Sequence, residues 1–236
     1  MTCMMILSPI SLPDLPDRLA RFERCVEDDA LGLAAFRRIA ATLDLVDDDN
    51  LELSQDDEER REAWALCRSF GMGIWEGPLG TPPADSLTFT YDGRNVRGDM
   101  EPSVIVHEVG HIQTCAAERR NIVDFGLGAG PETMRREEAD AAMTVIGLER
   151  EMEEALASLQ GILWEAELGH PAILAFLEQN WLEGVDSPQN RSHYLKVLHQ
   201  LRRHGLIDDE GRPTRALRDA DDVAFLHTLT RPEPQV

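Results

Sequence analysis

Two histidines with a glutamate between them form the part of the sequence best suited to chemistry: His107-Glu108-Val109-Gly110-His111. On an α-helix, residues four apart lie one turn apart on the same face, so both imidazoles can reach one ion at about 2.0–2.1 Å. Glu108 follows the first histidine and can act as a general base on a metal-bound water. The pattern therefore predicts one divalent metal ion, with His107 and His111 as ligands and Glu108 as a catalytic residue.

A third ligand has to come from elsewhere in the chain, because catalytic sites usually hold the metal with three protein ligands. The other histidines follow without ligand spacing, so a carboxylate of the long acidic helix predicted downstream is expected. Glu138 and Glu149 fall on the apolar stripe of that helix, whereas Glu154 shares its face with Ser158 and Gly161. Small residues allow a second helix to approach closely. The candidates are Glu137, Glu138, Asp140, Glu149, Glu151, Glu153 and Glu154.

The elements that must position these residues are mainly helices, because apolar residues recur at steps of three and four through most of the chain. Pro102 suits the first position of the HExxH helix. Ser54 is predicted to cap an earlier helix that continues through Phe70. The remaining predicted helices are two within 14–43, a long one over 137–168, one through Phe176 and Trp181, one from Ser187 to Gly205, and one over 223–229.

One stretch has the alternation of a strand. Residues 86–91 and 94–97 flank Asp92-Gly93, a strong turn dipeptide, and predict an antiparallel β-hairpin. The expected fold class is α+β and mostly helical, with a zincin-like HExxH helix and this small hairpin. We expect a helical N-terminal part over residues 1–75 and a metal-binding domain with a helical C-terminal part over residues 76–236.

The net charge of the chain limits the classes of partner that it can bind. There are 44 acidic and 23 basic residues among 236, a net charge of −21. Such a field repels phosphate backbones, so nucleic acid is not an expected partner.

No apolar run is long enough for a membrane span. The four cysteines show no disulfide framework and no secretory leader is apparent, so a cytoplasmic protein is expected; the sequence does not specify an oligomeric state.

Beyond the HExxH motif, the chain resembles the elongation factor P hydroxylase family. The resemblance rests on His107–His111, then Glu118-Arg119-Arg120 and Asp124-Phe125-Gly126, at the spacing of that family. Weaker similarities follow at 169–171 and 180–184, so the match covers residues 100–185. The chain departs from the family pattern at Leu127-Gly-Ala-Gly-Pro131, where the family has aromatic residues.

The resemblance implies a metal-dependent oxygenase that hydroxylates a modified lysine on a translation factor, with a fold similar to ImmA-type HExxH metallopeptidases. In both groups a downstream glutamate completes the site. Counting back from Gly169-His170-Pro171 identifies it as Glu154, whereas ImmA-like spacing favours Glu138. Glu154 is the preferred third ligand and Glu138 the second choice.

Three functions compete on these residues. The first is an Fe(II) oxygenase acting on a protein or peptide, with two histidines and one carboxylate on one side of the metal. The second is a zinc peptidase with Glu108 as general base. The third is a non-catalytic metal-binding interaction protein. Asp124 is a candidate to orient a ligand imidazole, with an ordinary turn or cap role as the alternative. Arg119 and Arg120 could pair with helix-end carboxylates or a substrate, but we expect them to be solvated.

Overall fold

The computed structural model describes residues 12–46, 51–76 and 89–219, and it is mostly helical over these ranges. Two short strands and several 3-10 turns complete it. The helices are α1 (Leu15–Val26), α2 (Ala30–Ala40), α3 (Asp57–Ser69), α4 (Pro102–Thr114), α5 (Arg136–Ala141), α6 (Gly147–Leu168), α7 (Ala172–Glu178) and α8 (Pro188–Arg203). The strands are β1 (Gly73–Trp75) and β2 (Asn95–Arg97).

The centre of the fold is the pair of helices α4 and α6. α4 carries the HExxH motif and begins with Pro102, as predicted. Glycines make the contact between the two backbones. A Cβ at Gly110 would lie 2.1 Å from the carbonyl oxygen of Ala157, and one at Gly161 would lie 3.0 Å from the Cα of His107. The expectation that small residues let α6 approach the metal-binding helix is therefore confirmed.

Other helices pack around this pair. α3 contacts α4, with the Cys67 thiol 3.7 Å from the carbonyl oxygen of Ile105. An aromatic cluster joins α1, α2, α7 and α8 and includes Phe22, Phe36, Phe176 and Tyr194. One apolar core contains side chains from both sides of the boundary expected at residues 75 and 76. That division into two parts stays a prediction.

The prediction of an antiparallel hairpin is wrong for the sheet. β1 and β2 pair in parallel, with Gly73 opposite Asn95 and Trp75 opposite Arg97. β1 lies at the start of a stretch rich in glycine and proline, residues 71–83 of the sequence. Only an isolated antiparallel bridge between Tyr91 and Val96 remains of the hairpin in the described residues, and 86–88 lie outside them.

The turn at Asp92 leads into the parallel pairing of β2 with β1. The Asp92 carboxylate accepts hydrogen bonds from the N–H groups of Arg94 and Asn95, the second at 2.5 Å. This side-chain bonding closes the turn tightly. The carbonyl of Arg94 then accepts a bond from Gly73 at 2.9 Å, which favours β1 as the partner of β2.

The helix predicted through Phe176 and Trp181 ends at Glu178, and two other predicted helix boundaries are also wrong. Asp56, rather than Ser54, caps α3 by accepting bonds from the N–H groups of Glu58 and Glu59. The long helix predicted over 137–168 is broken into α5 and α6, because Thr144 and Val145 donate to the carbonyl of Gly126 instead of continuing the helix. The helix predicted over 223–229 lies outside the described residues. Within the described ranges, no helix is long and apolar enough to cross a bilayer.

Candidate metal centre

The structure brings His107, His111 and Glu154 together. The two histidines lie one turn apart on α4, and Glu154 reaches them from α6 across the close helix contact. The Oε2 atom of Glu154 lies 3.5 Å from Nε2 of His111 and 3.8 Å from Nε2 of His107. In the described part of the chain, these three side chains form a group that could hold a metal ion. Their ligand atoms all lie within 4.8 Å of one another.

These separations fit one bound ion. With metal–ligand bonds of about 2.1 Å, tetrahedral geometry separates neighbouring ligand atoms by about 3.4 Å. The distances of 3.5 and 3.8 Å to Glu154 are close to this value, and all three ligand atoms lie within 4.8 Å of one another, so they would draw together around an ion. Two imidazole nitrogens and one carboxylate oxygen suit Fe(II) and Zn(II) alike. The arrangement can therefore hold a divalent ion of either kind.

Electrostatics in the group match its proposed role. Burial lowers the pKa of His111, which favours the neutral imidazole that binds metals. Burial alone would raise the pKa of Glu154, but the facing His111 and His107 rings hold it below its usual range. The Glu154 side chain is 40% exposed, His107 21% and His111 7%. The open side of the group thus lies at Glu154 and His107.

Glu108 lies on the same cavity wall but is not one of the three converging ligands. It is 5% exposed. Burial raises its pKa well above the usual range, and the carboxylates of Asp124 and Glu154 raise it further. A carboxyl group in such surroundings can hold a proton near neutral pH and exchange it with a reacting group.

The three residues open into a cavity of about 680 Å³. Its lining includes the segment 128–132 and also residues 178–181 with Asn190 and His193. Its lining contains six carboxyl groups against one arginine, Arg150. The six are Glu108, Asp124, Glu132, Glu151, Glu154 and Glu178. A cavity of this size and charge accommodates a side chain or a short peptide segment, and it favours cationic groups.

Asp124 also lines the cavity, but its hydrogen bonds do not go to a ligand imidazole. One oxygen accepts from the N–H of Tyr91 at 3.0 Å and the other from the hydroxyl of Thr133 at 2.7 Å. The contact with His111 is made by the next residue, Phe125, whose ring stacks on the imidazole at 5.3 Å and 22°. Sequence reasoning thus identified the right turn but the wrong side chain.

The expectation that Arg119 and Arg120 are solvated is wrong. Arg119 is 4% exposed and forms an ion pair with Glu153. Arg120 is half-buried and donates to the carbonyl oxygens of Ile112 and Arg218. Local sequence patterns do not indicate this burial, because Glu153 lies 34 residues after Arg119 and Arg218 lies 98 residues after Arg120.

Glu138, the second choice for the third ligand, lies on α5. Its carboxylate pairs with Arg135 at the protein surface, and its side chain is 54% exposed. Asp140 of the same helix accepts a bond from the N–H of Ala129 at 2.8 Å. Neither carboxylate belongs to the converging group at the histidines.

Comparisons with protein-family models, with curated proteins and with solved structures found no match to this chain.

Proposed function

We propose that the chain is a metal-dependent enzyme in which His107, His111 and Glu154 hold one divalent ion. The observation that carries this proposal is the convergence of Nε2, Nε2 and Oε2 from two helices in contact, at the wall of a large cavity. Three protein ligands leave coordination positions open towards the cavity, as catalytic metal sites require.

We further propose that the reaction is hydroxylation of a protein side chain. Support comes from the resemblance to the elongation factor P hydroxylase family and from the two-histidine, one-carboxylate ligand set, which is typical of non-haem Fe(II) oxygenases. The bound metal would supply the activation of dioxygen. In the overall reaction one oxygen atom enters a C–H bond, the other leaves as water, and an added reductant provides two electrons and two protons.

The chain's own residues then act on the substrate. Besides the metal ligand Glu154 and the buried Glu108 and Asp124, whose pKa values are raised, the cavity has three further carboxyl groups. These attract and orient a cationic side chain, which fits a modified lysine on a translation factor. They are Glu132, Glu151 and Glu178. Buried Glu108 holds or accepts a proton beside the ligands, because burial raises the pKa of its carboxyl group well above the usual range. The ring of Phe125 covers the buried face of His111 and excludes water there.

A second candidate function is peptide hydrolysis with zinc. The position of Glu108 favours it, since a carboxylate next to the first ligand histidine is the general base of HExxH peptidases. Both candidates use the same ligands, so the metal and the product have to distinguish them.

Incubation with elongation factor P that carries its modified lysine tests the proposal. Protein loaded with Fe(II) without oxygen is mixed with the factor, dioxygen and ascorbate, and the factor is analysed by mass spectrometry. We expect a mass gain of one oxygen atom, absent with His111→Ala. Chelator-sensitive cleavage of a peptide by the Zn(II) form, abolished in Glu108→Gln with the metal retained, would instead establish the hydrolase.

A further inference from the structure

Arg119 forms a buried ion pair with the residue that precedes Glu154. Its Nη2 atom lies 2.6 Å and 2.5 Å from the two carboxylate oxygens of Glu153. The side chains of Arg119 and Glu153 are 5% and 0% exposed. An Arg–carboxylate contact that engages both oxygens restricts geometry as well as attracting charge. This contact fixes the turn of α6 that presents Glu154 to the histidines.

The same guanidinium holds a strained turn on the other side of the site. Nη1 of Arg119 donates to the carbonyl oxygen of Phe125 at 2.5 Å. Phe125 has φ +53° and Asp124 has φ +43°, in the left-handed region that bulky residues rarely adopt. Such a conformation is unfavourable and persists only when neighbouring contacts hold it.

This turn determines how one ligand is oriented. A metal-ligating histidine usually donates its second ring nitrogen to a carboxylate or carbonyl, which fixes the ring. The Nδ1 atom of His111 is buried and has no hydrogen-bond partner in the described structure. Its ring stacks instead on Phe125, which is stacked on Tyr91 at 4.3 Å and 5°. Packing by Phe125 therefore replaces the usual hydrogen bond.

We propose that Arg119 is a positioning residue of the metal centre: one buried guanidinium binds Glu153 and the Phe125 carbonyl, and so sets the Glu154 carboxylate and the His111 ring relative to each other. This inference rests on the metal site proposed above. Arg119 acts through Glu153 on one side and Phe125 on the other.

A structural role and a positioning role predict different results when the pair is replaced by apolar residues. Apolar side chains of similar volume often replace a buried ion pair with no loss of stability, because the desolvation of both charges is avoided. Removing Arg119 alone would take away the ion-pair partner of a fully buried carboxylate and destabilise the protein strongly. The informative variant is therefore Arg119→Met with Glu153→Leu.

The experiment compares three proteins without metal and with Co(II): wild type, the Arg119→Met/Glu153→Leu variant, and an Arg38→Met/Glu167→Leu control. Arg38 and Glu167 form an ion pair between α2 and the far end of α6, so the control changes the same helix away from the site. Urea unfolding of the metal-free proteins gives stability. Chelator competition gives the Co(II) affinity, and the visible absorption spectrum reports the ligand geometry.

We expect the Arg119→Met/Glu153→Leu variant to fold with stability close to wild type, to bind Co(II) about 10–100-fold more weakly, and to show an altered spectrum. The control should keep the wild-type affinity and spectrum. Wild-type affinity and spectrum in the Arg119→Met/Glu153→Leu variant would overturn the positioning role and leave the metal site intact. A wild-type protein that binds no Co(II) would overturn both this role and the metal site.

Arg119→Lys decides the question if the double variant does not fold. Lysine keeps a positive charge for Glu153, but a single ammonium group does not reproduce the planar fork that reaches both Glu153 and Phe125. We expect a folded protein with an altered Co(II) spectrum and roughly tenfold weaker binding. An unchanged spectrum and affinity would contradict the proposal.

Discussion

Glu154 is a ligand candidate because of what surrounds its carboxylate rather than because of its place in the helical pattern. The apolar periodicity of the single long helix predicted over 137–168 would favour Glu138 or Glu149, yet Glu138 lies on α5 and pairs with Arg135 at the surface. Glu154 faces two imidazoles within 3.8 Å, and these hold the pKa of its carboxyl group down. At the scale of single residues, the neighbouring helix therefore decides which carboxylate reaches the histidines.

His170, a histidine outside the metal group, contributes to stability in a way that depends on pH. His170 follows the end of α6; its Nε2 lies 2.8 Å from Glu62 of α3, and its Nδ1 lies 3.3 Å from Glu165. Burial alone would lower its pKa, but Glu165 and Glu62, with Glu59 nearby, raise the pKa of His170 to about 9. This contribution to stability is complete below the unfolded pKa of about 6.5 and is lost as the pH rises through 9.

We therefore predict that His170→Gln destabilises the protein more at pH 6 than at about pH 9.5. Urea unfolding of wild type and variant across this range measures the difference, and groups that titrate equally in both proteins cancel. A difference in unfolding free energy that does not change with pH would show that the charge of His170 contributes nothing.

At the scale of elements, the site depends on how closely α4 and α6 approach. The backbone of α4 touches that of α6 at Gly110, where a Cβ would lie 2.1 Å from the Ala157 carbonyl oxygen. In an isolated helix, replacing glycine with alanine stabilises the helix by about 1 kcal/mol. Here the added methyl group has to push the two helices apart, and Glu154 moves with α6.

Gly110→Ala is therefore predicted to destabilise the protein by about 1–3 kcal/mol, opposite in sign to the helix propensity, and to weaken metal binding. Thermal unfolding and metal competition measure the two effects. Gly130→Ala is the matched control, because its Cβ would meet only ordinary contacts at 3.8 Å. A Gly110→Ala protein as stable as wild type, with equal metal affinity, would mean that the close approach is not required.

For the whole molecule, local patterns predicted the parts that depend on nearby residues. The four-residue spacing of His107 and His111 defined the metal-binding face of α4, and Ser158 and Gly161 indicated the close neighbour that carries Glu154. The mostly helical fold was also predictable, because apolar periodicity runs through most of the chain.

Features that depend on distant partners were not predictable. The burial of Arg119 requires Glu153, 34 residues later, and the parallel sheet requires Gly73 to meet the turn at Arg94. The break before α6 arises because the Gly126 carbonyl takes the N–H groups of Thr144 and Val145. Each is a tertiary contact that overrides local propensity.

The metal content per chain shows whether His107, His111 and Glu154 hold one divalent ion. Protein incubated without oxygen with Fe(II) or Zn(II) and freed of excess metal is analysed alongside His111→Ala, Glu154→Ala and Glu138→Ala. We predict one ion per wild-type chain, none with His111→Ala, strongly weakened binding with Glu154→Ala, and wild-type content with the surface control Glu138→Ala. A full complement of metal in His111→Ala, or none in the wild type, would contradict the account.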